Sequence, residues 1–371
     1  MSDPEKNLPP YVKEGYFKAY FVFAVADTID LDKLQNSTES FHRAQFSVHS
    51  QQQYIHFVTP PLFLSGPELE LAGAPVKVSY KIYASGTVSV RISLTMQGEW
   101  EQCVQHTAAL RVDDRLENLA RQELEKVLAD ISFAISKPCS AVMEDYYLFH
   151  VVPDSESPSV SDMLEVHADA IAKMIVGDEQ TLSKQEQKDI LKTFFSYYEN
   201  DFTIVHWDSA FIYDTKSGAS PIEDLLEFAN TQMVELRTLD ELLDTELDYI
   251  YHHVDDKKWF SWLHTGQGAT MRADRLRQIL VDVRELADQS TNALKITGDA
   301  FYSRLYKGAC QRFGLPDWQK QVENKFDSVH QIYRYIIDEA HHSRGGFLEI
   351  IIIVLIAIEI LLALFELSRS H

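Results

Sequence analysis

The chain has 371 residues, 45% of them hydrophobic, and carries a formal net charge of −22 at pH 7. That length and apolar content suffice for one large domain or two modest ones. The acidic excess argues against sequence-independent nucleic-acid binding, which needs a basic surface, and against broad adhesion of the globular part to an anionic bilayer.

Residues 1–14 read as a disordered N-terminus. MSDPEKNLPP has neither the apolar core of a secretory signal nor an Arg-rich amphipathic presequence, so the bulk of the chain is expected in the cytoplasm. Residues 15–217 read as an α+β or mixed α/β domain. FKAYFVFAVA, QYIHFVT, VKVSYKIYA and TVSVRISLTM are rich in β-branched and aromatic residues and punctuated by Pro and Gly, as strands are. DDRLENLARQELEKVLADISFAI has helical periodicity, with Leu116, Leu119, Leu124, Val127, Leu128 and Ile131 on or near one face. DYYLFHVV is a strand, VSDMLEVHADAIAKMIVG and SKQEQKDILKTFFSYY are helices, and DFTIVHWDSAFIYD is a strand or hairpin.

KSGASP breaks this pattern, and residues 218–345 are expected to form a long antiparallel helical stalk. Ser220 is placed as an N-cap and Pro221 at the first helical position. Ile222, Leu226, Ala229, Met233, Leu236, Asp240, Leu243, Leu247, Ile250 and Val254 follow steps of four and three, a heptad seam with one polar interruption, Asp240. A second helix begins near Ala269. A third, residues 316–343, carries Trp318, Val322, Phe326, Val329, Ile332 and Ile336 as a similar seam and is roughly 42 Å long. Run unbroken to Phe313, the second helix would reach about 67 Å; a break at residues 296–299 stops it near Lys295 at about 40 Å, and a short helix over residues 300–313 turns the chain. In this geometry the connection 255–268 lies at the membrane. Its Lys257, Lys258, Trp259, Phe260 and Trp262 then form an interfacial loop; the alternative is that the aromatics cap the helical bundle.

Residues 346–367 read as one C-terminal transmembrane helix, followed by a short tail, 368–371. Glu349, Glu359 and Glu366 are the only charged residues from Phe347 to Leu367, and about 20 apolar residues span a hydrocarbon core. The expectation is a single-pass, tail-anchored protein of the cytoplasmic membrane that meets the bilayer through residues 347–367. Glu359 falls near mid-membrane with no Lys or Arg in the span to pair with it. A protonated carboxyl bonded to a neighbouring helix answers that cost, so a homo-oligomer or a membrane-protein partner is expected, with Glu349, Glu359 and Glu366 as membrane or assembly residues.

Chemistry has little foothold. Cys103, Cys139 and Cys310 are far apart, odd in number and without CxxC spacing, which fits a reducing compartment rather than a zinc site or a disulfide framework. No Walker A loop, GxSxG, HExxH or dinucleotide glycine run is present, and neither a cofactor nor a metal is expected. His252-His253 before Asp255-Asp256 is the best metal-like cluster, but adjacent histidines at a helix end face apart and the acids suit a solvated loop. His341-His342, at the junction of helix and membrane, could titrate near neutral pH and suit interfacial polar residues. His206, Trp207 and Asp208 read as strand residues, with His206 and Asp208 pointing to one face as a site could use, but nothing in the pattern supplies a nucleophile or a base partner.

Three patches carry a family resemblance. LEIIIIVLIAIE (348–359) resembles the C-terminal Leu-Glu-then-aliphatic pattern of the family named for "required for meiotic nuclear division". KAYFVFAVADTIDLDKL (18–34) resembles its opening strand and Leu-based helix start, and FANTQMVELRTLDELLDTELD (228–248) its long helix with spaced Leu and Glu. The chain looks like a bacterial-type member. The resemblance implies a family of unknown molecular activity, with eukaryotic relatives that include a mitochondrial inner-membrane protein supporting translation.

Three functional readings follow. The one favoured is a non-enzymatic, tail-anchored membrane scaffold or assembly protein that presents a cytoplasmic α/β domain to a partner. The others are an oligomeric ion-pathway or transport component lined by the Glu-containing helix, and an enzyme of unrecognised class.

Overall fold

Strand β1 (Tyr11–Ile29) occupies the middle of the sheet because its two faces satisfy two different layers. Its odd positions Phe17, Ala19, Phe21 and Phe23 enter one large apolar core, while Lys18, Tyr20, Val22 and Ala24 alternate to the opposite side, as period-2 side chains must. The computed structural model describes residues 11–37, 42–43, 59–71, 73–154, 159–254, 281, 299–332 and 334. Among these are β2 (His42–Arg43), β3 (Leu62–Leu71), β4 (Ala74–Ile82), β5 (Thr87–Glu99), β6 (Ile135–Val151), β7 (Phe194–Phe195), β8 (Phe202–Val205) and β9 (Ser209–Tyr213). They join β1 in one sheet of order β2-β3-β4-β5-β1-β6-β9-β8-β7, antiparallel throughout except for the parallel pair β6–β9. That parallel step requires a crossover, and α4 and α5 supply it.

The apolar face of the sheet is covered by α2 (Trp100–Arg111), α3 (Asp114–Ile131), α4 (Val160–Val176) and α5 (Lys184–Ile190). In α3, Leu116, Ala120, Leu124, Val127 and Ile131 are buried at helical spacing, and Asp113 caps the first turn by accepting from Arg115 N. Ser159 caps α4 at one end, and Gly177, in the left-handed region at φ 73°, ends it at the other. A short helix, α1 (Leu31–Ser37), follows β1 and buries Leu31 and Leu34. Gly86 in the β4–β5 turn is required twice over: its φ is +83°, and a Cβ there would fall 1.8 Å from the Ala26 carbonyl oxygen.

The other face is polar and is covered differently. Helix α6 (Lys216–Val254) lays its first turns on it, with Val234 packed on Val22, Ala24 and Val142. Helix α7 (Ala300–Arg312) packs beside it through Tyr306, whose ring stacks on Phe228 and whose hydroxyl donates to Gln232. The described residues up to Thr238 and from 299 to 319 belong to one compact unit; those from Leu239 to Val254, Val281, and those from Lys320 onward belong to a second. Within the second unit, residues 320–332 are helical, Val322, Phe326 and Val329 are buried, and Lys325 Nζ lies 2.7 Å from Asp240 and 2.8 Å from Asp244.

Several expectations are corrected by this architecture. The expectation of an α+β or mixed α/β domain followed by a long antiparallel helical stalk and one C-terminal transmembrane helix is replaced, among the described residues, by a large mixed sheet between helices. The reason lies in α6. From Lys216 to Thr238 it is part of the sheet domain, because Glu223, Asp224 and Glu227 pair with cations on the strands. It also starts at Lys216, with Pro221 inside the helix rather than at its first position. The expectation of a tail-anchored, single-pass protein of the cytoplasmic membrane is corrected too: no helix among the described residues is long and apolar enough to cross a membrane. Residues 346–367, on which that expectation rested, lie outside the described residues, as do residues 255–268 and, apart from Val281, the second helix of the expected stalk.

Candidate functional site

Three strand residues of like parity bring positive charge to the α6 side of the sheet: Lys18 on β1, Lys81 on β4 and Arg91 on β5. Register sets them close, since Arg91 is opposite Tyr20, and Ser89, one pair further along, is opposite Lys81. Helix α6 answers with Glu223, Asp224 and Glu227, which one turn of helix places on a single face. Lys18 Nζ lies 2.7 Å from both carboxylate oxygens of Glu223. Lys81 Nζ donates to Asp224 at 2.6 Å and to Glu227 at 2.7 Å. Arg91 donates through Nε to Glu227 at 2.6 Å and through Nη2 to both Glu227 and Asp224, a bidentate grip, and its guanidinium lies 5.2 Å over the Tyr20 ring. Tyr83 adds a hydroxyl to Glu227 at 3.3 Å.

Three cations thus meet three carboxylates. Burial alone would raise the Glu227 carboxyl, but Arg91 and Lys81 outweigh it and hold the carboxyl at about 2. Burial keeps the Tyr20 and Tyr83 phenols well above their usual range. His150 borders the cluster. Its Nε2 donates to the Asp214 carbonyl at 2.9 Å, and its Nδ1, without a hydrogen-bond partner, lies 3.6 Å from Glu223. The pairing of these cations and carboxylates fixes the register of α6 on the sheet.

A second polar centre lies at the β8–β9 turn. His206, Trp207 and Asp208 form that turn rather than a strand, with His206 N donating to Ser209 O at 2.7 Å. His206 and Asp208 do come together, at 3.1 Å. Arg111, at the end of α2, pairs with Asp208, donates to the Ile175 carbonyl at the end of α4, and lies 5.0 Å over the Tyr147 ring. Ser209 Oγ donates to the same Ile175 carbonyl at 2.6 Å. Two donors therefore satisfy an orphan carbonyl at the C-terminus of α4. Burial raises the Asp208 carboxyl, yet the His206 hydrogen bond and the Arg111 charge overcome that and leave it lowered.

A third feature is exposed. Between β7 and β8 the buried Asp201 accepts from Tyr197 N at 2.7 Å and from Tyr198 N at 2.9 Å, which fixes the turn. The two rings meet edge to face at 4.6 Å and stand 51% and 67% exposed. Phe194 on the terminal strand β7 is also exposed, and Trp207 is exposed in the β8–β9 turn at the other end of β8.

Of the residues singled out from sequence, only His206 and Asp208 take part in a described centre. Glu349, Glu359, Glu366, Lys257, Lys258, Trp259, Phe260, Trp262, the Asp255-Asp256 pair and His341-His342 lie outside the described residues. Among the described residues no group of three or more His, Cys, Asp or Glu is placed to hold a metal ion. Sequence reasoning missed the α6 ion cluster. Its signal was present: Lys81 and Arg91 interrupt apolar strands, and the acids at 223, 224 and 227 share a turn beside buried Leu225 and Leu226.

Comparison with known proteins adds a family. Residues 14–220 match the family described as the N-terminal domain of the uncharacterized protein MJ0711. The uncharacterized protein MJ0711 of Methanocaldococcus jannaschii is 24% identical over 245 residues, which cover 65% of this chain and 73% of that protein. No solved structure matches. A family without an assigned activity is what the sequence resemblance implied; nothing in these matches supports the finer kinship with the meiotic-nuclear-division family.

Proposed function

This chain belongs to the family of the uncharacterized protein MJ0711, through that family's N-terminal domain, and we propose that it is a non-enzymatic scaffold or assembly protein whose mixed α/β domain presents a surface to a protein partner. The observation that carries this reading is the Asp201 turn. A buried carboxylate holds the backbone while Tyr198 projects into solvent and the half-exposed Tyr197 packs edge-on against Phe301. Rigid aromatic side chains at low conformational cost are what interface anchors are made of, and a preformed turn removes the ordering cost of binding. Kinship with the meiotic-nuclear-division family belongs to the same proposal. It rests on residues 18–34, a strand followed by a helix that starts at Leu31, and on residues 228–248 of α6.

Site-specific photocrosslinking in cells tests the reading. A photoreactive phenylalanine at Tyr198 should give a recurrent protein adduct that the same group at exposed Phe133 does not. An adduct of twice the chain mass would identify the partner as a second copy. Identical adduct patterns at 198 and 133 would remove the β7–β8 margin as a partner surface.

A further inference from the structure

Strand β7 ends the sheet, and register sets what its open side presents. Phe194 is paired with Ile204 and Phe195 with Thr203, antiparallel. One step back along the same ladder, Val205 N donates to the Thr193 carbonyl at 3.0 Å, which makes residues 193 and 205 a hydrogen-bonded pair. Bonded and non-bonded pairs alternate along an antiparallel ladder. Phe195 and Thr203 are then bonded, and Phe194 and Ile204 are not. The N–H and C=O of Phe194 therefore point away from β8, toward an edge that no described strand occupies.

The side chains at this edge are held in place. Phe194 is 37% exposed, yet its ring stacks on Phe202 at 5.6 Å, which fixes its position. Phe195 alternates to the other face, where its ring lies so close to Gly308 of α7 that a Cβ there would fall 2.3 Å from it. Native edges are blunted by charge, by proline or by a covering element. ILKTFFSYY (190–198) holds one charged residue, Lys192, and no proline, in a chain whose net charge is −22. Its protection is shortness. One residue offers one donor and one acceptor, so this edge closes a single pairing and does not template a row of strands.

We propose that this edge pairs with the same edge of a second copy of the chain, β7 antiparallel to β7 across a twofold axis at Phe194. The proposal rests on the reading of the β7–β8 margin as a partner surface, and it names the partner. An edge residue that presents both its N–H and its C=O is self-complementary, which is what an isologous interface requires. Phe194 donates to the second copy's Phe194 and accepts from it. Residues directly opposite carry their side chains on one face, with Cα atoms about 5.5 Å apart in such a pair, so ring meets ring. Charge favours the same occupant. Two copies of so acidic a chain repel over most of their surface, but residues 190–198 bring no acid to the axis, and Lys192, two residues from it, does not meet itself. A strand of unrelated sequence would gain the same two backbone bonds without this match.

Sedimentation equilibrium of the full chain tests this. The parent should show a weight-average mass above that of one chain, rising with loading concentration. Phe194→Pro removes the outward N–H and no bond to β8, as proline on an edge strand does. It should lower the mass, by half where the dimer is saturated, with an unchanged circular dichroism spectrum. Phe194→Lys keeps the N–H but sets charge against charge across the axis. It should also lower the mass, and it serves if the proline variant fails to fold. Phe133→Lys, at an exposed phenylalanine elsewhere, should change nothing. A parent with the mass of one chain at every concentration, or a mass that Phe194→Pro and Phe194→Lys leave unchanged, overturns the proposal. A monomeric parent that still gives a recurrent Tyr198 adduct keeps the partner surface and removes the second copy from it; identical adducts at 198 and 133 remove the surface itself.

Discussion

Lys81 Nζ lies 2.7 Å from Glu227 Oε2, and both side chains are cut off from water, at 2% and 0% exposure. Such a pair is stable only while both members remain, since removing one strands a charge in the interior. Glu227→Gln removes the buried carboxylate that Lys81 and Arg91 share and should cost about 3–5 kcal/mol in urea unfolding. Asp224→Asn should cost less, because Asp224 reaches solvent and Glu227 still holds both cations. Equal costs would mean that the two carboxylates are interchangeable, against the geometry.

Gly218 gives a sharper test of the α6 entry. In an exposed helix, Gly→Ala stabilises by about 1 kcal/mol. Here a Cβ would stand 2.2 Å from Asp214 Oδ2. That carboxylate cannot easily retreat, because Thr215 N donates to its Oδ1 at 2.6 Å. Gly218→Ala should therefore destabilise, by on the order of 1–3 kcal/mol as overpacking does. Adding Asp214→Ala should recover much of the loss. A double-mutant cycle with no coupling would place the strain elsewhere.

The seam read from sequence survives in part. Asp240 was legible as a polar residue in an apolar heptad row, and the structure supplies its partners within the second unit: Lys325 at 2.7 Å and Gln321 at 3.4 Å. A single polar group at such a position costs stability and sets register. Lys325→Ala removes the cation beside the buried Asp240, leaving the longer Gln321 hydrogen bond, and should cost about 1–3 kcal/mol. Asp244→Ala, which removes an exposed partner, should cost under about 1 kcal/mol. Separate unfolding midpoints for the two variants decide this.

What the sequence revealed, and what it hid, follows from which interactions are local. Alternation in KAYFVFAVA and VKVSYKIYA exposed the strands, and the spacing of Leu116, Leu124 and Ile131 exposed α3, because those patterns repeat within a few residues. Helix α2 was missed: WEQCVQHTAALR lacks a clean apolar stripe, and its Trp100, Cys103 and Val104 are buried by tertiary packing. The run from Ser183 was read as one helix to Tyr198, yet it is helical only to Ile190, and Phe194–Phe195 pair with β8. The ion cluster joins residues 18, 81 and 91 to residues 223–227. A residue pair more than a hundred positions apart leaves no periodic trace, so the Lys on a strand and the Glu on a helix each look like ordinary surface charge.

Acid titration separates the groups around α6. Burial lowers the tendency of His150 to take a proton; Glu223 and the Asp214 carbonyl oppose that, Lys18 adds to it, Glu14 opposes it, and the net direction is downward from 6.5. The unfolded chain then binds a proton at this site where the native chain does not. Stability should begin to fall as pH drops below about 6.5. Asp214 acts in the opposite sense. Burial, helped by Asp201 and opposed by Thr215, pushes its carboxyl up to about 6 from 3.8, so the native chain holds that proton first and stability rises between about 6 and 3.8. Glu227 enters last: with its carboxyl at about 2, its contribution is complete above 4.5 and is lost only as pH falls from there towards 2. His150→Gln keeps a donor for the Asp214 carbonyl and removes the first effect alone. Its urea midpoint, relative to the parent chain, should improve steadily from pH 7.5 to pH 5, while Asp214→Asn, which loses the second effect, should fall behind the parent over the same range. Parallel midpoint curves for His150→Gln and the parent would mean that His150 titrates alike in the folded and unfolded chains, and that its unpartnered Nδ1 beside Glu223 accepts a proton without cost.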